Sequence, residues 1–429
     1  MKRVLIISYY WPPAGGGGVQ RWLKMTKYLP EFGWKPIIYT PSNGESPVED
    51  HSLVNEVHPD VEVIQSPIWE PYGFYKKFTG KKKHEKVYSG FINDKKESFT
   101  QKLSVFIRGN FFIPDARKFW IKPGVKFLSE YVNNNSIDAI ISTGPPHTTH
   151  LIAKAVALKN NIPWIADFRD PWTNIDFYDQ LRLTSWADKK HRRLEQEVLK
   201  NASKIVTVSE HWSEDFKKLS NRDIQVIRNG FDHTDFGLSS VKLDDNFSIC
   251  HLGSMNKDRN PETLWKVLAT KTTNQEFAKN LEIKLIGQVD HSILQSIEQF
   301  GLTPYLKIIP FMPHSGAITE LEKSQVLLLP INDTPNSLGV VPGKIYEYLG
   351  ARRPVIAVGP IQGDSSSILK DSGAGKMFDY NDNDGVTAYV DELYHKFQSN
   401  ELSVPSSEIM KYSRKNMAKK YSELLKDLT

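Results

Sequence analysis

Short apolar strand-like runs alternate with amphipathic helical segments through most of this chain, and that order predicts an α/β protein built as two doubly wound domains. Three observations carry the prediction. Runs such as VLIIS, DAIIST and PVIAV are apolar and bounded by Gly, Pro or polar residues, as parallel strands buried on both faces are. Helical segments fall between successive runs rather than in a block of their own. At 429 residues the chain exceeds what one hydrophobic core supports, so two domains of roughly 200 residues each are expected.

In chain order, the first domain opens with the strand VLIIS, a Gly-rich turn, the helix VQRWLKMTKYLPEFG and the strand PIIYT. DAIIST, the helix THLIAKAVALKNN, PWIAD, the polar helix SWADKKHRRLEQEVLKNA, KIVTVS and IQVIRNG follow, so residues 1–235 form one doubly wound domain. FDHTDFGLSSVKLDD is polar, as domain linkers are. The pattern restarts at DDNFSICHLGS and runs through LEIKLIG, LKIIP, QVLLLPI and PVIAV, giving a second domain at 236–400. In the terminal segment 401–429, a helix is expected over 406–428 with Ser407 as its cap, from Ile409, Tyr412, Met417, Tyr421 and Leu424 at helical spacing.

Composition narrows the classes. A 39% apolar and 24% charged chain is ordinary for a soluble protein, and no run approaches the ~20 apolar residues of a membrane helix. MKRVLIIS reads as a first strand rather than a signal peptide, so a cytoplasmic protein is expected. The single Cys250 sits in FSICHLG and reads as a core residue. A net charge of +5 does not indicate nucleic acid. Its distribution is uneven, however, because an insertion at 68–120 is basic and rich in Phe and Tyr. Either it meets an anionic membrane surface or it is a solvated loop.

Four strand-to-helix turns carry the candidate chemistry. In PGKIYEYLGARRPVIAVG, Pro342 and Gly343 open a helix whose free amides, dipole and Lys344 would attract an anion. Lys344, Glu347 and Ala351 share one helical face. An ordinary amphipathic helix with a solvated Lys344–Glu347 pair fits equally. PPAGGGGVQRW places Gly15–Gly18 where backbone can approach a phosphate or sugar, or simply turn. The spacing never gives G-x-G-x-x-G, and PIIYT ends in Thr40 where a ribose-binding acid would stand, which removes a nicotinamide reading. PWIADFRDPWT offers Asp167, Arg169, Asp170 and Trp172 to a sugar, with an Arg169–Asp170 ion pair as the alternative. STGPPHTTH offers Ser142, Thr143, His147 and His150; with no third metal ligand in view, a capping or surface role fits the histidines better, although one could face a ligand cleft. HLGSMNKDRNPETL places Lys257 and Arg259 before a helix, within reach of a diphosphate or merely solvated.

Together these segments resemble glycosyltransferase family 4, retaining nucleotide-sugar enzymes of the GT-B fold, over nearly the whole chain. The Gly15–Gly18 loop, the Asn229–Gly230–Asp232 turn and the cationic loop at 254–259 carry the likeness. In that loop the family's arginine position falls on Ser254 and its lysine position on Arg259. Of the family's two glutamates separated by seven residues, the second resembles Glu347, while the first falls on Gly339. Lys344 in PGKIYEY resembles a subgroup in which a lysine enters the site. The resemblance implies two Rossmann-like domains facing across a cleft, acceptor-side then donor-side, with the terminal helix returning to the first. Glu347 would hold the ribose hydroxyls and PFMPH would lie near the base. Arg259, Lys344, Pro342 and Gly343, with Gly17 and Gly18, would hold the phosphates. Arg169 and Asp170 would orient sugar or acceptor, and Lys344 would act in catalysis. The family further implies retaining transfer of a hexosyl or N-acetylhexosaminyl group, from a nucleotide-diphosphate sugar such as a UDP-sugar, with no metal or cofactor. The acceptor would be lipid-linked or a saccharide, at the inner face of the cytoplasmic membrane, in surface-polysaccharide synthesis, with no nucleic acid partner. A nucleotide-sugar epimerase of related fold, or a catalytically silent partner of another transferase, are the alternatives.

Overall fold

The computed structural model describes residues 1–46, 48–70, 99–175, 178–237, 241–405 and 407–429. Part of the basic insertion, residues 71–98, lies outside them. The chain divides into two compact units, Met1–Arg228 with Met417–Thr429, and Asn229–Asn416. The sequence pattern places these boundaries at 235/236 and 400/401 instead.

In the first unit seven strands form one parallel sheet: β1 (Lys2–Ile7), β2 (Trp34–Pro41), β3 (Glu62–Ser66), β4 (Ala139–Gly144), β5 (Trp164–Phe168), β6 (Lys204–Thr207) and β7 (Gln225–Val226). Their order is β3-β2-β1-β4-β5-β6-β7. Helices α1 (Gly17–Tyr28), α2 (Phe99–Phe111), α3 (Ile121–Asn134), α4 (Thr148–Asn160), α5 (Ser185–Asn201) and α6 (Glu210–Ser220) connect them. Strand pleating sorts the core by parity: Leu5 and Ile7 of β1 join one buried cluster, while Val4 and Ile6 join the other.

The second unit repeats the plan with β8 (Phe247–Leu252), β9 (Leu281–Ile286), β10 (Leu306–Ile309), β11 (Val326–Pro330), β12 (Val355–Val358) and β13 (Gly375–Phe378), ordered β10-β9-β8-β11-β12-β13. Its helices are α7 (Glu262–Lys271), α8 (Gln275–Asn280), α9 (His291–Gln299), α10 (His314–Lys323), α11 (Lys344–Ala351), α12 (Asp364–Ser372) and α13 (Asn383–Gln398). Val326 and Leu328 face one cluster and Leu327 and Leu329 the other. Cys250 is fully buried in β8, and burial raises its thiol pKa to about 12. Strand order reverses between β1 and β4, and between β8 and β11, so crevices open at the carboxyl ends of those pairs, where ligands of open α/β sheets bind.

The terminal helix is shorter than 406–428. A 3-10 turn at Met410–Tyr412 precedes α14 (Arg414–Lys426), and Ser407 does not cap it. Extended backbone at Ser413 separates the two, because Phe231 N donates to Tyr412 O at 3.2 Å and Arg414 N donates to Phe231 O at 2.8 Å. A Cβ on Gly230 would stand 2.4 Å from Tyr412 O, so the Asn229–Gly230 turn needs its glycine for close approach. Met417, Tyr421, Leu424 and Leu425 of α14 belong to the core of the first unit. Among the described residues no helix is long and apolar enough to cross a membrane.

Candidate active site

In the first unit, Asp167, next to last in β5, carries a carboxylate that faces inward. Arg21 Nε and NH2 donate to it at 3.1 and 2.9 Å, Trp22 Nε1 at 3.0 Å, Thr143 Oγ1 at 2.9 Å and Tyr421 OH at 2.8 Å. Burial pushes its pKa up, but the Arg21 charge and these bonds outweigh that and hold it below the carboxylate range. Saturated in this way, Asp167 joins α1, β4, β5 and α14 and is no sugar ligand.

Arg169 directly follows β5. Its NH1 donates to Gly18 O at 3.0 Å and its NH2 to Pro145 O, so the guanidinium ties the glycine loop to the turn after β4. A Cβ on Gly18 would sit 2.9 Å from that NH1, which explains why this position lacks a side chain. Gly17 is exposed at the start of α1, and Asp170 is half-buried beside Arg169.

Trp172 does not present its ring to a ligand. It is buried, stacks on His147 with centroids 4.5 Å apart, and donates Nε1 to His191 Nδ1 at 3.0 Å. His147 and His150 are buried as well, rather than at the surface; His147 occupies the N-cap position of α4, but its side chain makes no capping bond. Trp164 Nε1 donates to Ser142 Oγ at 2.8 Å, and that hydroxyl shares a hydrogen bond of 2.7 Å with His150 Nδ1. His150 Nε2 meets no partner, and burial lowers the imidazole pKa to about 3.

The crevice between β8 and β11 in the second unit holds a different set. Gly343 and Pro342 form a turn ahead of α11, with Ile345 N and Tyr346 N donating to Pro342 O and Gly343 O at 3.1 and 3.2 Å. Helical hydrogen bonding starts at Lys344, two residues later than Pro342 suggests. Tyr348 fixes the helix against both strands: its OH accepts from Leu252 N at 3.0 Å and donates to Leu328 O at 3.1 Å.

Lys344 Nζ lies 3.1 Å from His251 Nε2. His251 Nδ1 meets Leu328 O at 3.0 Å, and a carbonyl only accepts, so the proton sits on Nδ1 and Nε2 receives the lysine N–H. Burial, and then the Lys344 charge, push the imidazole pKa well below its ordinary value. Lys344 makes no ion pair among the described residues. Burial, and then nearby Arg259, lower its pKa to about 7 against the opposing pull of Glu347. Arg259 donates Nε to Asn332 Oδ1 and NH1 to Ser254 O at 3.3 Å. Ser254 itself is exposed.

Glu347, one turn along α11, is half-buried with His314 Nδ1 3.8 Å from its Oε1, and His314 Nε2 is 3.5 Å from Asp235. Burial raises its pKa, and the charges of His314, Lys344 and Arg414 oppose that rise. Asp235 belongs to the short turn capped by Asp232, whose Oδ1 accepts from Thr234 N at 3.2 Å. The Asn-Gly-acid motif thus leads into the surroundings of Glu347. Gly339 closes a 3-10 turn, Ser337–Gly339, and is buried.

The structure therefore gathers Lys344, Arg259, Ser254, Pro342, Gly343 and Glu347 at one crevice of the second unit, and Gly18, Arg169 and Asp170 at one crevice of the first. Sequence reasoning gave no role to His251, Asp235 or Gly253, and had His314 only as the last residue of PFMPH, near the base. Gly253, at φ +103 with a hypothetical Cβ 3.1 Å from Lys344 Nζ, had only its place after a strand as a signal.

Residues 90–235 match the profile of Glycosyltransferase Family 4. The chain has the GT-B fold, and its residues 90–235 resemble family 4. This GT-B chain is similar to sucrose-phosphate synthase from Thermosynechococcus elongatus, at 12% identity and TM-score 0.62 over 100% of this chain and 99% of that one. It is similar to WaaG, a glycosyltransferase involved in lipopolysaccharide biosynthesis, at 12% identity and TM-score 0.51 over 98% and 99%. A Listeria monocytogenes protein described as a UDP-N-acetylglucosamine 2-epimerase has 11% identity and TM-score 0.56 over 100% and 96%. No curated protein matches the chain by sequence. Among the described residues of this glycosyltransferase-like chain, no group of three or more His, Cys, Asp or Glu side chains could hold a metal ion.

Proposed function

We propose that the chain transfers a hexosyl or N-acetylhexosaminyl group from a nucleotide-diphosphate sugar to an acceptor hydroxyl, with retention of configuration. One observation carries the reading: Lys344 and Arg259 bring two cations to a sheet crevice, and Lys344 has a neutral imidazole rather than a carboxylate as its partner. A half-buried amine without a counter-ion is costly, and an anion that enters beside it removes the cost. A diphosphate supplies that anion, with the amides at Gly343 and Lys344 and the α11 dipole adding to the attraction.

Glu347, on the same face of α11, accepts the ribose hydroxyls. As the sugar–oxygen bond breaks, negative charge grows on the departing diphosphate. Preorganised Lys344 and Arg259 stabilise that charge more than they stabilise the bound donor, which accelerates the step. A departing phosphate oxygen takes the proton of the acceptor hydroxyl as the new bond forms on the same face of the sugar. This route needs no side-chain nucleophile and tolerates glycine at position 339. Arg169 and Asp170 orient the acceptor, and the loop of Gly17 and Gly18 at the same first-unit crevice leaves backbone open to a ligand. UDP is the proposed nucleotide, and a lipid-linked acceptor in surface-polysaccharide synthesis at the inner membrane face the proposed setting; WaaG's described role supports that setting.

The test pairs calorimetry of nucleoside diphosphates with a transfer assay whose product anomer is read by NMR. Tight UDP binding and an anomer matching the donor are expected. Isomerisation of a UDP-sugar by the purified chain without acceptor would replace this reading with the epimerase one. UDP binding with neither transfer nor donor hydrolysis for every common UDP-sugar would identify a silent partner.

A further inference from the structure

The first unit carries an exposed apolar surface that its own core does not use. On α2, Leu103, Phe106, Ile107 and Phe111 are 47, 37, 41 and 63% exposed. The helix is docked by its other contacts: Asn110 Nδ2 donates to Arg182 O at 3.2 Å, Thr184 N donates to Asn110 Oδ1 at 2.7 Å, and Gly109 lies against Leu181. Large apolar side chains left outward on a well-anchored helix form a patch rather than a packing fault.

Aromatic side chains extend it. Trp69, at 55% exposure, meets Phe119 edge-on with centroids 4.6 Å apart, and Phe119 meets Phe112 at 6.1 Å. Lys118 Nζ stands over both Phe112 and Phe119, at 5.3 and 5.0 Å. At the start of α5, Trp186 is 63% exposed under Lys190 Nζ at 4.8 Å. Burial, and then nearby Lys190, lower the pKa of Lys118, and neither lysine forms an ion pair among the described residues.

Charge on this surface leans basic. Lys102, Arg108, Lys122 and Lys126 are exposed on α2 and α3, against the exposed acids Glu130 of α3 and Asp179. Other acids around it are engaged: Asp115 accepts from Thr148 N and Oγ1 at 2.9 and 2.8 Å, Glu70 pairs with Arg117 at 3.3 Å, and Asp188 with Arg192 at 3.0 Å. A second protein with an apolar face would leave these cations unanswered. Single-stranded nucleic acid would answer them but finds aliphatic Leu103 and Ile107 where stacking needs rings. A bilayer of anionic lipid answers both, with rings and aliphatic groups at the acyl boundary and lysines among the phosphates.

We infer that this face, Leu103, Phe106, Ile107 and Phe111 of α2 with Trp69, Phe119 and Trp186, seats the protein on an anionic phospholipid bilayer. The inference stands apart from the transfer reaction, since every residue in it lies outside the second-unit crevice.

Flotation of the full chain with phosphatidylcholine vesicles, with and without phosphatidylglycerol, is the test. Binding only to the phosphatidylglycerol vesicles, weakened by salt, is expected. Phe111→Ser with Trp186→Ser should release the protein, and Lys122→Glu with Lys126→Glu should lower partitioning about fivefold or more per charge changed. UDP-induced thermal stabilisation of each variant should match that of the parent, which separates loss of the face from loss of the fold or of the nucleotide site. Equal flotation with neutral vesicles, no flotation at all, parental binding by both variants, or binding to single-stranded RNA in place of vesicles would overturn it.

Discussion

Two clusters of charge, one fully buried at the carboxyl end of β5 and one half-buried at the start of α11, differ in how completely the protein neutralises them. Asp167 receives five hydrogen bonds, two from Arg21 and one each from Trp22, Thr143 and Tyr421. Arg21 also donates to Arg228 O, Ile227 O and Tyr421 OH, at 3.1, 2.8 and 2.9 Å. At α11, Lys344 has one bond to a neutral imidazole, and Arg259 adds charge of the same sign. A saturated cluster has no capacity left for a ligand, whereas a cluster with surplus charge and few partners is stabilised by one. Burial alone does not distinguish scaffold from site. The balance of charges and partners does.

The sharpest way to break this comparison is Asp167→Ala. It leaves Arg21 charged, buried and without its carboxylate, so a loss of about 3–5 kcal/mol is expected in urea unfolding. A loss below about 1 kcal/mol would show that the cluster is not the scaffold its bonds describe. Lys344→Ala should do the opposite. Turnover should fall roughly 10²–10³-fold, as when one preorganised charge-stabilising group is removed. Its melting temperature should hold or rise, because a buried amine with a lowered pKa is lost. Glu347→Ala should sharply weaken nucleotide binding in calorimetry, and undiminished affinity would remove its ribose role.

Most of the fold was legible because parallel strands buried on both faces leave continuous apolar runs, as at Val326–Leu329 and Val355–Val358. The terminal helix was misjudged because spacing at Ile409, Tyr412 and Met417 cannot reveal that Ser413 is drawn into a strand-like bridge with Phe231. In the candidate site, residues carried by one helix, such as Lys344 and Glu347, were legible from spacing. His251 and His314 were not, since their partners lie on other elements: 93 residues separate His251 from Lys344. Asp167 was misread for the same reason, because its donors come from α1, β4 and α14.

The pH dependence sharpens the comparison further. Lys344 titrates near 7 in the folded protein, below its ordinary 10.5, so folding releases its proton across that window. Below about pH 7 the amine is protonated folded or unfolded, and the cost of burying its charge is fully present. As pH rises from there toward the ordinary lysine value the unfolded chain binds more protons, so stability rises. Nucleotide affinity runs the other way, since a diphosphate favours the protonated amine; it should fall by as much as roughly tenfold per unit above the Lys344 pKa. Calorimetry across this range checks the sign. Lys344→Arg, charged throughout, should give a flat profile, and a slope identical to the parent's would assign the titration elsewhere.

The smallest expected effect concerns Gly253, where backbone and site make separate demands. Its φ of +103 is strained for any side chain, and a Cβ there would stand 3.1 Å from Lys344 Nζ. Gly373, at φ +63 and with open space for 4 Å around the place a Cβ would occupy, shares the first demand without the second. Gly253→Ala and Gly373→Ala should each cost about 1–2 kcal/mol in stability, from the positive φ alone. Only Gly253→Ala should also shift the amine and reduce nucleotide affinity a few-fold. Equal affinities in the two variants would mean that the room above Gly253 serves the turn after β8 and not the lysine, and that the surplus charge at α11 is held without it.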